Sequence, residues 1–117
     1  MTLDGLADEM RRLSGLLDDA LGYLRRVSAE WAESEDVYRM ARARAVLEAV
    51  GTVDERRAQA DMATSQQRRK AHLDDAMKQA ALEAVRSRRA QISALQSIAA
   101  AHRAEGELAH TGPQMTP

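Results

Sequence analysis

The chain has 117 residues, of which 44% are hydrophobic and 30% are charged, and its formal net charge is −1. Only 3% of the residues are aromatic, and the sequence contains neither phenylalanine nor cysteine. This composition excludes a core packed around rings, disulfide bonds, thiol catalysis and zinc–thiolate sites. β-Branched and aromatic residues are sparse and nowhere alternate, which argues against a sheet. We therefore expect one all-α domain that gains stability by self-association.

The first long segment carries a heptad pattern. Apolar residues recur in alternating steps of three and four for about six heptads, which is typical of helices that supercoil with partners. The pattern predicts a helix over about 3–50. This seam can pack against the chain's own second long helix, against other copies, or against both, and we favour hairpin and oligomer together. The seam positions are Leu3, Leu6, Met10, Leu13, Leu17, Ala20, Leu24, Val27, Trp31, Ser34, Tyr38, Ala41 and Ala45, with Ser34 the one polar member.

A turn and a short helix are predicted next. Gly51 breaks the heptad pattern at a place where the glycine that ends a helix is expected. Thr52 and Glu55 follow at the spacing of a capping box, in which each residue satisfies a backbone N–H of the other. This signal predicts a short helix over about 53–62.

A second long helix is predicted over about 66–105, capped by Thr64 or Ser65. Residues 106–117 have the composition of a disordered tail. The expected architecture is thus a long, coiled-coil-like helical hairpin, with 1–105 as a single domain. The apolar side of the final helix is predicted to carry Leu73, Met77, Ala80, Ala81, Ala84, Val85, Ile92, Leu95, Ile98 and Ala99. The residues expected to hold an oligomer together are Leu13, Leu17, Leu24, Val27, Trp31, Tyr38, Ile92, Leu95 and Ile98.

The charges are unevenly distributed along the chain. Residues 1–36 contain nine acids and four arginines, whereas 37–103 contain thirteen basic and seven acidic side chains. In an antiparallel hairpin the segments near 44 and 69 come close together, which would concentrate basic groups at one end. Arginine suits phosphate because its planar fork donates two hydrogen bonds and stays charged. The candidate DNA-binding residues are Arg39, Arg42, Arg44, Arg56, Arg57, Arg68, Arg69, Lys70, Arg86 and Arg89.

The alternative interpretation of each basic cluster is a solvated helix face paired with acids. Arg44 and Glu48, for example, have the i, i+4 spacing of a helical ion pair. Few aromatic residues exist for base stacking, so any binding to a single strand should depend on phosphate contacts, ignore sequence and weaken with salt.

Signals of catalysis are missing from the sequence. The three histidines, His72, His102 and His110, include no pair at helical ligand spacing. No glycine-rich phosphate loop and no recognisable nucleophile setting occurs. We expect a protein that is not an enzyme and binds no metal or cofactor. No apolar run is long enough to span a membrane and the amino terminus is acidic, so a cytoplasmic location is expected.

Two segments of the chain, within about residues 20–105, carry a resemblance to other proteins. They are Tyr38–Ala45 with Leu47-Glu48 and Gly51–Ala58, and Ala84–Gln96. They resemble small helical proteins of bacteriophage replication and recombination gene sets, and more distantly the UvsY-like recombination mediators of T-even phages.

The resemblance implies a ring-like homo-oligomer that binds single-stranded DNA and helps load a recombinase or annealing protein. Arg42 and Arg44 match the family's basic-x-basic pair and would contact DNA phosphates. The first 20 residues have no counterpart in that family, and lysine is rare here. Two other functions remain open, namely a helical adaptor that binds another protein through the seam and a phage inhibitor of a host protein.

Overall fold

A computed structural model describes residues 2–115, with side chains described for 2–109. Within these residues the chain forms three helices, α1 (Leu3–Glu48), α2 (Val53–Ala63) and α3 (Ser65–Met115), and no strand. The predicted all-α class and the predicted long helical hairpin are confirmed.

The end of α3 differs from the prediction. The sequence placed the end of this helix near 105 and a disordered tail over 106–117, whereas α3 continues to Met115. The segment contains good helix formers such as Glu107 and Leu108, and Gly106 costs a helix only about 1 kcal/mol relative to alanine. Residues 116–117 of the predicted tail lie outside the described residues.

The turn between α1 and α2 follows the predicted signals. Gly51 has a φ of 123°, a backbone conformation that side-chain-bearing residues rarely adopt. Thr52 is the N-cap of α2, and its hydroxyl oxygen accepts a hydrogen bond from the Glu55 backbone N–H at 3.2 Å. The Arg56 N–H donates to the Thr52 carbonyl at 2.9 Å. The reversal of the chain is therefore fixed by one glycine and one capping threonine.

The junction between α2 and α3 is nearly continuous helix. The Thr64 N–H donates to the Ala60 carbonyl, and the Arg68 N–H donates to the Thr64 carbonyl, each at 3.0 Å. These are helical i, i−4 bonds. The buried Thr64 hydroxyl also donates to the Ala60 carbonyl, at 2.7 Å, and this back-bonding is known to bend helices. The backbone of Thr64, with φ −112° and ψ 18°, departs from helical values, so Thr64 is the boundary between the two helical segments.

The described residues form two compact units. Unit 1 combines the residues up to Leu21 with those from Ala84 onward, and unit 2 is Gly22–Glu83. In unit 1 the core is formed by buried leucines of α1 and α3 with partly buried neighbours. Its members are Leu6, Leu13 and Leu95, packed against Met10, Leu16, Ile92 and Ala99.

Unit 2 has a core of smaller and partly polar residues. Lys78 of α3 lies over Trp31 of α1, and Asp74 of α3 interacts with Ser34, one turn further along α1. Later residues of α1 thus meet earlier residues of α3, which is the antiparallel arrangement of a hairpin. The buried side chains of this unit are Val27, Ser34, Ala60, Thr64, Ala71, Asp74 and Ala81.

The predicted seam of α1 is the face that this chain buries. Every seam residue except Leu3, which is 58% exposed, is buried or half-buried. Of the residues predicted to mediate oligomerisation, Leu13, Val27 and Leu95 are buried within the single chain. Leu17, Leu24, Trp31, Tyr38 and Ile92 are half-buried, and Ile98 is 43% exposed.

The predicted apolar side of α3 divides into two stripes. Ala81, Val85 and Leu95 are buried, but Leu73 and Met77 are exposed. The prediction assigned both stripes to one apolar side. The packing of α3 on α1 buries only one of the two.

Candidate nucleic-acid interface

Most of the predicted DNA-binding residues fall in one compact unit. Unit 2 holds Arg39, Arg42, Arg44, Arg56, Arg57, Arg68, Arg69 and Lys70, whereas Arg86 and Arg89 belong to unit 1. Between residues 37 and 70 there are eight basic and four acidic side chains, a net charge of +4. The segment that contains the turn and the α2–α3 junction is therefore basic.

Arg42 forms an ion pair that ties α1 to α2. Its Nε donates to a carboxylate oxygen of Asp61 at 2.9 Å, and both side chains are partly exposed. The hydrogen bond and the negative charge of Asp61 raise the pKa of Arg42 above its ordinary value. The guanidinium keeps free N–H groups, but its charge is already partly neutralised within the chain.

Arg56 is used to close the end of α1. Its Nε and Nη2 donate to the Val46 carbonyl oxygen at 3.2 and 2.9 Å. Gln59 assists from the next turn of α2, since its amide donates to the Val50 carbonyl at 3.0 Å. Carbonyls at a helix end lack helical partners, so side chains that reach them stabilise the turn. We assign Arg56 a structural role.

Two other cations have acidic partners on their own helices. Arg39 donates to Glu35 at 3.0 Å, and Lys70 donates to Asp74 at 3.1 Å. Both cationic side chains remain largely exposed, at 74% and 69%. An exposed i, i+4 pair is weak, so Arg39 can exchange its partner for a phosphate at little cost. Lys70 is held more firmly, because its partner Asp74 is buried.

The remaining predicted DNA-binding arginines of unit 2 have no partner among the described residues. Arg44, Arg57, Arg68 and Arg69 are exposed, and the structure shows no ion pair or hydrogen bond from their side chains to any described residue. The Arg44–Glu48 pair that the spacing allows does not form among these residues. In unit 1, Arg89 is exposed in the same way, whereas Arg86 interacts within the chain.

A buried polar layer in unit 2 was only partly visible in the sequence. Asp74 is 6% exposed, and hydrogen bonding to Ser34 and Lys70 lowers the pKa of its carboxyl below the ordinary 3.8. The Ser34 hydroxyl also lies 3.1 Å from the Trp31 carbonyl, to which it can donate its proton instead. One signal did exist, since Ser34 is the only polar seam residue. Its partner could not be read because helix register is a property of the folded pair.

Trp31 and Lys78 extend this layer. The Lys78 ammonium lies 3.5 Å from the centroid of the Trp31 ring, and Asp75 approaches it at 3.5 Å. The side chain of Lys78 is only 22% exposed. The ring of the single tryptophan is therefore occupied within the chain, and this face of it is closed to a nucleic-acid base.

The described residues were searched for a metal-binding group and for a membrane-spanning helix. No group of three or more histidine and carboxylate side chains within residues 2–109 is arranged to hold a metal ion. Among the same described helices, none combines the length and apolar character needed to cross a bilayer.

Comparisons of the chain with family models, with curated proteins and with solved structures found no match.

Proposed function

We propose that this chain is a non-enzymatic, single-stranded DNA-binding protein of the phage recombination-mediator type, acting as a homo-oligomer in the host cytoplasm. In this role it would help load a recombinase or an annealing protein onto the strand. The sequence resemblance to UvsY-like mediators supports the assignment, as does the net charge of +4 over residues 37–70 within unit 2.

One observation carries the proposal. Arg57, Arg68 and Arg69 lie within thirteen residues of one another around the α2–α3 junction, exposed and without partners among the described residues. Arginine forks that the fold does not use are available to phosphate oxygens. Arg39 adds a weakly paired cation, and Lys70 adds a largely exposed one that is paired with the buried Asp74. Such a surface contacts the backbone of a strand and does not read bases.

Oligomerisation has a mechanistic purpose in this proposal. One copy supplies only a few phosphate contacts, so its affinity for a strand is low. Several copies bound side by side multiply those contacts along one strand, because each further contact is effectively intramolecular. Leu13 and Val27 are buried within the single chain, so in this proposal the contacts between copies use surfaces other than the centre of the seam.

The test is a binding titration with a fluorescently labelled single strand of about 40 nucleotides, several times the site of one small binding module. Anisotropy should report binding at low salt that weakens steeply as salt rises. Replacing Arg57, Arg68 and Arg69 with alanine should weaken binding and make its salt dependence shallower. The slope of the logarithm of the binding constant against the logarithm of the salt concentration should decrease in magnitude by about 0.7 for each phosphate that the variant no longer neutralises.

A matched control separates local contacts from general charge. Arg11, Arg25 and Arg103 are also exposed, and replacing these three with alanine removes the same charge away from the junction. The control protein should bind almost as the unaltered one does. Equal losses in both triple variants would reduce the binding to a general charge effect, and no binding at low salt would refute the proposed function.

The second candidate is a helical adaptor, or a phage inhibitor of a host protein, that binds another protein and no DNA. The observation that favours it is the exposure of large hydrophobic side chains in unit 2, such as Leu47 at 78% and Met62 at 80%. Failure to bind DNA together with capture of one specific protein would support this candidate.

A further inference from the structure

Unit 2 carries exposed apolar side chains on one side of its two long helices. Val37, Met40 and Leu47 belong to α1, and Leu73 and Met77 belong to α3, with exposed fractions from 38% for Met77 to 78% for Leu47. We refer to these five residues as the apolar face. Val37 and Met40 each precede a seam residue by one position. They therefore lie about 100° around α1 from the centre of the hairpin interface.

The α1 residues and the α3 residues of the apolar face lie on the same side of unit 2, as a groove between the two helices shows. The groove has a volume of about 420 Å³ and runs between α1 and α3, with Glu33 and Val37 on one wall and Gln66 and Lys70 on the other. Leu73 lies one helical turn beyond Lys70 on the same side of α3. The Arg42–Asp61 ion pair lies on the opposite side of the hairpin from this groove. Each of its residues comes one position after a buried or half-buried residue, whereas Val37 and Met40 come one position before one.

The exposed stripe of α1 on this side continues beyond its apolar residues. With the three-and-four spacing of a packing helix, it runs Glu30, Glu33, Val37, Met40, Arg44 and Leu47. Glu33 and Arg44 are exposed, and neither forms an ion pair or hydrogen bond with any described residue. The stripe is thus acidic towards its beginning, apolar at its centre and basic towards its end.

The four central residues of the stripe, Glu33, Val37, Met40 and Arg44, form a self-complementary order when reversed. If a second copy of α1 lies antiparallel with its midpoint between Val37 and Met40, Val37 faces Met40 of the other copy. In the same register Glu33 faces Arg44 of the other copy, and Glu30 faces Leu47. A two-fold symmetric interface requires this kind of self-complementary surface, because each contact occurs twice.

We propose that two copies of this chain associate through this stripe, with their α1 helices antiparallel and Glu33 of each copy paired with Arg44 of the other. The two hairpins of unit 2 then form a four-helix arrangement in which the centre of the apolar face, Val37 and Met40, is covered. The inference names the partner and the surface of the proposed homo-oligomer. It rests on that part of the proposed function and not on DNA binding.

The inference also separates two roles among the arginines. Arg44 lies in the stripe between the copies, whereas Arg57, Arg68 and Arg69 remain available for phosphate. Arg44→Glu should therefore act first on self-association and only through it on DNA affinity.

Charge exchange across the two-fold axis tests the proposal. The mass of the full-length protein, measured by sedimentation equilibrium without DNA across a wide concentration range, should reach twice the 12.9 kDa of one chain. Arg44→Glu and Glu33→Arg each place like charges together at two points of the interface. Each should raise the dimer Kd by about tenfold or more, and the double variant carrying both changes should recover most of the loss.

Arg25→Glu is the matched control, because it makes the same charge change on an exposed position of α1 that follows the seam residue Leu24 and so lies on the other side. It should leave the dimer Kd unchanged, and circular dichroism should show every variant equally helical. A monomer at all concentrations, single variants that associate as the unaltered chain does, or a double variant without recovery would each overturn the proposal. Since no DNA is present, none of these results bears on strand binding.

Discussion

The guanidinium of Arg56 donates two hydrogen bonds to one oxygen, the carbonyl of Val46, from Nε at 3.2 Å and from Nη2 at 2.9 Å. Val46 lies in the last turn of α1, where carbonyls have no helical partner. A residue that composition assigns to DNA is therefore part of the turn between two helices. Arg57, the next residue in the chain, is exposed and has no partner among the described residues.

We predict that Arg56→Ala and Arg57→Ala will have separable effects. Arg56→Ala removes charge-assisted hydrogen bonds from a partly buried carbonyl and should lower the free energy of unfolding by about 1–2 kcal/mol. Arg57→Ala should leave that free energy within about 0.5 kcal/mol of its original value. Urea unfolding followed by circular dichroism measures both.

In DNA binding we expect the larger effect from Arg57→Ala and the smaller effect from Arg56→Ala, the reverse of their effects on stability. Arg57→Ala should weaken binding to a single strand, whereas Arg56→Ala should leave the affinity unchanged under conditions where the protein stays folded. If Arg56→Ala unfolds no more easily than the unaltered chain, the two hydrogen bonds to Val46 contribute nothing to stability and the structural assignment is wrong.

The heptad seam was readable because its signal is local. Spacing along one helix decides which face is buried, and positions from Leu6 to Ala45 are buried or half-buried as that spacing predicts. The turn was also readable, since Gly51 and the capping Thr52 are adjacent in the chain. Neither prediction requires knowledge of what lies across from α1.

The contacts between helices were not readable for the complementary reason. Arg42 with Asp61 and Ser34 with Asp74 are nineteen and forty residues apart, and their meeting depends on how far one helix slides along the other. The sequence supplied candidates on each side but not the register. The predicted DNA surface included Arg56 for the same reason, because its contact with the Val46 carbonyl is a property of the folded chain.

Asp74 predicts a dependence of stability on pH. Hydrogen bonds from Ser34 and Lys70 lower the pKa of its carboxyl in the folded chain below the ordinary 3.8 of an unfolded one. The folded state therefore favours the ionised form. This contribution is fully present above about 3.8 and is lost as the pH falls through the lowered folded pKa.

Asp74→Asn should remove that contribution to the pH dependence. Thermal unfolding measured from neutral pH downward should show a shallower loss of stability for the variant than for the unaltered chain in the acid range. Glu9, whose pKa is also lowered, by hydrogen bonding to Arg12, supplies a second acidic contribution that both proteins keep. Parallel curves for the two proteins below about pH 4 would contradict the role assigned to Asp74.

Gly51 and Gly22 should respond to alanine in opposite directions. Gly51 has a φ of 123°, and a β-carbon there would collide with the carboxylate of Glu55. Forcing a side chain into that backbone region costs about 1–3 kcal/mol. Gly22 lies exposed within α1, and no atom comes within 4 Å of the position that a β-carbon would take. Alanine at 22 should instead stabilise the helix by about 0.5–1 kcal/mol.

Urea unfolding of the two single variants and of the double variant measures these effects. The two positions share no contact in the structure, so their effects should add to within about 0.5 kcal/mol. A Gly51→Ala protein as stable as the original would mean that the turn can adopt a conformation without positive φ. In that case the chain reversal would depend on the Thr52 cap and on the Arg56 and Gln59 hydrogen bonds instead of on the glycine.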